Sequence, residues 1–167
     1  MGLRYNGSPM SLPTIIIRHN RENLKKCSLR GLERSCDFQF YSYPDCALEP
    51  SGLENYVLLD VEGEPLTQKD HDSGLILVDA TWRLAEKMVR CIPALAHVQK
   101  RSIPSGFKTA YPRRQDDCPD PEAGLASIEA LYIAYFFMGR SCDALLDTYY
   151  WKDKFLEINK ELFTSTN

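Results

Sequence analysis

A chain of 167 residues with 44% hydrophobic side chains can bury one compact core, or two small halves packed together, and is too apolar to stay unfolded. No apolar run approaches the ~20 residues that span a bilayer, and residues 1–12 lack the basic start and apolar stretch of a secretory leader, so a soluble, cytoplasmic protein is expected. The formal net charge of −3 excludes a uniformly basic nucleic-acid binder and turns attention to where the charges lie.

After the tail at 1–12, residues 14–18 (TIIIR) form a short, branched, almost unbroken apolar run, the pattern of a strand buried on both faces. Residues 21–34 are basic and predict a partly helical segment. The alternation in 38–43 (FQFYSY) predicts a half-exposed strand near a sheet edge. Residues 56–61 (YVLLDV) and 74–79 (GLILVD) repeat the buried-strand pattern, so an α/β arrangement follows. Beyond Asp79 the period becomes helical, with Leu84, Ala85 and Met88 on one side, a Glu86 and Arg90 pair at i, i+4, and Pro93 as the stop. Residues 100–119 carry Pro104, Gly106, Pro112 and Pro119 and read as a long irregular loop. A second helix is expected with Asp120 as N-cap, Pro121 at its first position, a stripe of Leu125, Ile128, Tyr132 and Tyr135, and Gly139 at its end. Ser141 is expected to cap a third, whose apolar face is Phe155, Ile158 and Leu162. The division expected is an α/β half at 13–100, a loop and mainly helical half at 101–163, and a tail at 164–167.

Six cysteines (Cys27, Cys36, Cys46, Cys91, Cys118, Cys142) lack the two-to-four-residue spacing of zinc knuckles, so reduced structural thiols and no metal are expected. The glycines form no GxGxxG or phosphate loop, His19, His71 and His97 form no ligand pair, and no GxSxG elbow is present. The charges are uneven. Residues 18–34 hold Arg18, Arg21, Lys25, Lys26, Arg30 and Arg34 against Glu22 and Glu33, while 97–114 hold Lys100, Arg101, Lys108, Arg113 and Arg114 with no acid. These runs carry +4 and +5, leaving −12 on the rest. A basic face able to hold RNA phosphates through Lys25, Lys26, Arg30, Lys100, Arg101, Arg113 and Arg114 is therefore expected, with ordinary solvated loops as the alternative.

Asp79-Ala80-Thr81-Trp82 ends a buried-type strand just before a helix, where open α/β sheets bind ligands. The alternative is that Asp79 or Thr81 caps the helix and Trp82 fills core space.

Residues 74–88 (GLILVDATWRLAEKM) resemble the signature of the DTW-domain RNA aminocarboxypropyltransferases, and Asp79-Ala80-Thr81-Trp82 also matches the related enzymes that modify small-subunit ribosomal RNA. Residues 18–32 (RHNRENLKKCSLRGL), 57–70 (VLLDVEGEPLTQKD) and 149–162 (YYWKDKFLEINKEL) are similar to further segments of the ribosomal branch, in the same order. The chain departs from the DTW branch in lacking an N-terminal cysteine cluster. It departs from the ribosomal branch in following Ala110-Tyr111-Pro112 with Arg113-Arg114, which leaves ribosomal and transfer RNA both open as targets.

The resemblance implies S-adenosylmethionine held in a deep trefoil knot built by the C-terminal half, as in knotted RNA methyltransferases. The implied reaction moves the 3-amino-3-carboxypropyl group to a uridine-type base and releases methylthioadenosine. It implies Asp79 as the essential carboxylate, either binding the ammonium of S-adenosylmethionine or helping to remove the uridine imide proton. Trp82 would line the amino-acid part, Leu58, Leu59, Ile103 and Pro104 the adenosine, and Ser28 would add a hydroxyl contact. Ser127 and Glu129 would border the pocket, although helix capping and solvent exposure are the simpler expectation for both. Tyr132, Tyr135, Phe136 and Phe137 are expected in the core, and the chain is expected to be a monomer. Two other functions fit the same residues, a knotted RNA methyltransferase and a non-catalytic RNA-binding or ribosome-assembly module.

Overall fold

A computed structural model describes residues 11–112 and 124–165. Five strands form one sheet, β1 (Thr14–His19), β2 (Phe38–Tyr43), β3 (Tyr56–Pro65), β4 (Gly74–Asp79) and β5 (Gln99–Ser102). Their order is β2-β1-β4-β3-β5 and every pairing is parallel. The unbroken apolar runs occupy β1 and β4 at the centre, while the alternating FQFYSY run is an edge strand, as its half-exposed pattern predicts.

Side chains alternate across the sheet, so each strand feeds two cores. On one face Ile15, Ile17, Leu58 and Ile76 pack with Met88 and Ile92 of the α1 region (α1, Trp82–Cys91). On the other Ile16, Val57, Leu75 and Leu77 meet α2 (Ser127–Phe137) and α3 (Lys152–Ile158), with Phe163 of α4 (Lys160–Thr164) packed at the margin. The result is three layers, helix, sheet and helices. The second core draws on both halves of the chain, and Tyr132 lies edge-on to Phe155 and Phe163 at 6.0 and 5.6 Å, which fixes α2 against α3 and α4. Of the aromatic residues of α2 expected in the core, Tyr135 is buried and shares a 2.6 Å hydrogen bond with Thr14, Tyr132 and Phe137 are half-buried against that core, and Phe136 is half-buried beside Phe137 and Phe163.

Several boundaries differ from the sequence expectation. Residues 21–34 are a succession of turns ending in one 3₁₀ turn, Leu32–Arg34. Lys100 and Arg101 lie in β5, not in the long loop, where Gly63 of β3 comes so close that a Cβ there would sit 2.4 Å from the Arg101 backbone. The second helix begins at Ser127, after non-helical residues 124–126 that include Leu125, because Glu129 caps it from within. Asp120 and Pro121 lie outside the described residues. Ser141 closes a local turn by accepting from the Asp143 N–H, and helix does not resume until Lys152. It breaks at Asn159, so Ile158 is left exposed instead of joining Phe155 in the core.

Candidate active site

The parallel register places Arg18 at the end of β1 beside Asp79 at the end of β4. Both side chains fall on the face of Ile16, Leu75 and Leu77, the α2 side, because each lies an even number of residues away. Asp79 is buried, and three donors reach it. Arg18 Nε donates to Oδ2 at 3.0 Å, the Cys27 thiol to the same oxygen at 3.2 Å, and the Ser127 hydroxyl at the start of α2 to Oδ1 at 2.7 Å. The helix-cap alternative for Asp79 is thereby excluded, and Thr81, though at the N-cap position, makes no side-chain cap bond. Trp82 opens α1 with 39% of its surface exposed, so it does not fill core space.

Arg18 is the residue that sequence reasoning missed. A guanidinium is costly to bury unless its donors are met. Here Nη1 donates to Glu33 at 3.0 Å, Nη2 reaches the Cys27 sulfur at 3.4 Å, and the group lies 4.7 Å over the Phe40 ring. Burial opposes its charge, but Cys27, Asp79 and Glu33 together hold its pKa above the ordinary value. Burial also disfavours ionisation of Glu33, yet hydrogen bonds from the Arg18 side chain and the Gly31 N–H bring its pKa below the usual range.

Burial and the neighbouring Asp79 charge push the Cys27 thiol from 9.0 to about 11. A thiol whose pKa is higher in the fold than in the open chain stabilises the fold fully below the lower value and loses that contribution as pH rises through the higher one. Between pH 9.0 and about 11 the protein should lose stability more steeply than Cys27→Ala does, as read from denaturant midpoints across that range. Parallel pH profiles for the two proteins would refute the assignment.

A second cluster fastens the chain after β5 to the helices. Glu129 is fully buried and accepts from Thr109 Oγ1 (2.7 Å), the Ala110 N–H (2.8 Å), the Ala126 N–H (2.8 Å) and the Tyr149 hydroxyl (2.8 Å). The capping expectation for Glu129 holds and that of solvent exposure is corrected, since its first-turn carboxylate serves a loop and a distant turn as well. Asn159 makes the matching tie, accepting from the Lys108 N–H at 2.8 Å and donating to the Lys108 and Phe155 carbonyls at 2.9 Å.

The remaining residues divide by position. Ser28 Oγ accepts from the Ile128 N–H at 3.2 Å, joining the turn that carries Cys27 to the first turn of α2. Leu59 is half-buried on the Asp79 face, whereas Leu58 is fully buried on the opposite face with Met88. Ile103 packs at the margin of the α2-side core, and Pro104 follows it half-buried. Lys25, Lys26 and Arg30 are exposed. Lys100 instead pairs with Asp60 and Glu62 at 3.2 and 2.7 Å, and Arg101 with Asp70 and Glu64 at 2.9 and 3.7 Å, so carboxylates of β3 and of the turn after it neutralise both. Arg18, counted in the basic run, is buried, which confines the free cations of the described basic segments largely to the turns after β1. Arg113 and Arg114 lie outside the described residues.

Fold and site define an α/β protein with a parallel sheet and a buried carboxylate at the carboxyl end of its central strand, beside the start of a helix. No family model and no curated protein matches the chain. Its fold is similar to that of the SAM-dependent rRNA:acp-transferase Tsr3 from Vulcanisaeta distributa, with a TM-score of 0.68 and 23% identity over 92% of this chain and 82% of that one. At that identity the likeness establishes the shared fold.

Proposed function

We propose that this chain transfers the 3-amino-3-carboxypropyl group of S-adenosylmethionine to a uridine-type base in structured RNA, ribosomal or transfer. The observation that carries the reading is the buried Asp79 cluster at the carboxyl end of β4, in a fold shared almost end to end with a SAM-dependent rRNA:acp-transferase. The trefoil knot implied by the sequence resemblance belongs to the same reading.

The residues present suit such a donor. A carboxylate offers about four acceptor positions, and Asp79 has three occupied, which leaves one for an ammonium. Trp82 exposes an indole three residues along the chain, at the start of α1, while Leu59 and Ile103 offer half-buried apolar surface on the Asp79 side of the sheet. When bound, S-adenosylmethionine supplies a sulfonium that already activates its leaving group, so the protein's task is chiefly positioning.

Asp79 suits orientation better than proton removal. Arg18, Cys27 and Ser127 fix both its oxygens, and protonating the carboxylate would leave the buried Arg18 guanidinium without that counter-charge. Ser127 links the carboxylate to α2, and Glu129 and Asn159 hold residues 108–110 in register with it. Exposed Lys25, Lys26 and Arg30 stand ready to meet RNA phosphates, on the same turns that carry Cys27 and Ser28.

Calorimetric titration of the purified protein with S-adenosylmethionine tests the reading. Saturable binding at one site is expected. A protein that binds RNA but takes up no donor would instead be a non-catalytic RNA-binding module.

A further inference from the structure

The turns after β1 alternate in burial. Cys27 and Leu29 face inward, while Lys25, Lys26 and Arg30 are exposed. Two hydroxyls donate to backbone carbonyls of these turns, that of Tyr111 to Lys26 at 3.4 Å and that of Thr148 to Arg30 at 3.3 Å. The second contact sets the basic turns beside residues 147–151, where Tyr150 is 86% exposed, the highest value among the exposed large hydrophobic residues described. Its backbone is anchored by buried Tyr149, and its ring stands at 82° to that of Trp151 with centroids 4.8 Å apart. Lys154 lies over the Trp151 ring at 5.5 Å.

The charges here are one-sided. Residues 25–34 hold Lys25, Lys26, Arg30 and Arg34 against one carboxylate, Glu33, already paired with Arg18. In the neighbouring turn Asp147 is held by Lys152 at 2.9 Å, and Asp153 acts on the same ammonium. An anchored, solvent-exposed aromatic beside cations that no carboxylate among the described residues neutralises has the chemistry of a single-stranded nucleic-acid site. The cations take phosphates, and the ring takes the face of a base, which a duplex conceals.

We infer that this surface docks an unpaired segment of RNA, with one base stacked on Tyr150 and the neighbouring phosphates on Lys25, Lys26 and Arg30. The inference rests on the transferase reading and narrows its substrate to RNA whose target lies in or beside an unpaired loop. Tyr150 is the specificity residue of this surface and the lysines its electrostatic part.

Fluorescence anisotropy with a labelled RNA hairpin bearing an unpaired loop, and with a continuous duplex of the same stem, tests it. The parent should prefer the hairpin. Tyr150→Ala should weaken hairpin binding about tenfold while keeping its salt dependence, and Tyr150→Phe should bind as the parent does. Replacing Lys25, Lys26 and Arg30 together with alanine should lower the slope of log affinity against log salt by about two. Tyr150→Ala binding the hairpin as tightly as the parent, a parent that binds the duplex as tightly as the hairpin, or no RNA binding at all would overturn the inference. Transfer of the donor's group to RNA by the parent is scored separately. Transfer together with a silent Tyr150→Ala defeats the docking inference alone, and Tyr150-dependent binding without transfer defeats the transferase reading alone.

Discussion

Glu129→Ala is expected to destabilise the fold by about 3–5 kcal/mol, since each buried polar group left without a partner costs roughly 1–3 kcal/mol. The substitution removes the acceptor shared by Thr109, Ala110, Ala126 and Tyr149, and two of these donors are backbone N–H groups with little freedom to turn elsewhere. For a chain of this size the melting temperature should fall by roughly 10 °C. Glu129→Gln keeps the volume and one acceptor and should lose less. A fall of less than 2 °C for the alanine variant would mean that these four contacts carry no weight.

The second large effect is expected at Asp79. Asp79→Ala strands the Arg18 guanidinium, whose side chain is 11% exposed, with Glu33 as its remaining carboxylate, and Glu33 is 40% exposed and screened by solvent. Breaking a buried ion pair from one side costs about 3–5 kcal/mol, so the variant should unfold at clearly lower denaturant while losing S-adenosylmethionine binding. Trp82→Ala separates the two losses. Its indole belongs to neither apolar core although only 39% of it is exposed, so the stability loss should stay near about 1 kcal/mol, well below that of Asp79→Ala, while donor affinity falls sharply. A Trp82→Ala protein that binds S-adenosylmethionine like the parent would remove Trp82 from the pocket.

The strands were legible in the sequence because burial on two faces leaves unbroken apolar runs and burial on one leaves alternation. TIIIR, GLILVD and FQFYSY state those patterns directly. Asp79 stood out as a carboxylate ending such a run, with helix capping as an equal alternative, and the fold buries it among three donors instead. Its partners were not. Arg18 and Asp79 are 61 residues apart, and only the β1–β4 pairing turns an ordinary basic residue into a buried counter-ion. The same holds at β5, where Asp60, Glu62, Glu64 and Asp70 neutralise Lys100 and Arg101 from 31 to 40 residues upstream, so a charge run in the sequence is not a charged face in the fold. Helix starts were misplaced for a related reason. The start of α2 is set by Glu129 reaching back to the Ala126 N–H, and the helix break near the C-terminus by Asn159, whose side chain serves the Lys108 backbone. Neither is announced by a cap residue where one would look.

The identity of the transferred group is read by mass spectrometry of RNA incubated with the protein and S-adenosylmethionine labelled either in the carboxypropyl carbons or in the methyl group. Ribosomal and transfer RNA are offered separately. Carboxypropyl label is expected in one of the RNAs, abolished in Asp79→Ala, with the methyl label retained in methylthioadenosine. Methyl label alone in the RNA would contradict this expectation and make the protein a methyltransferase.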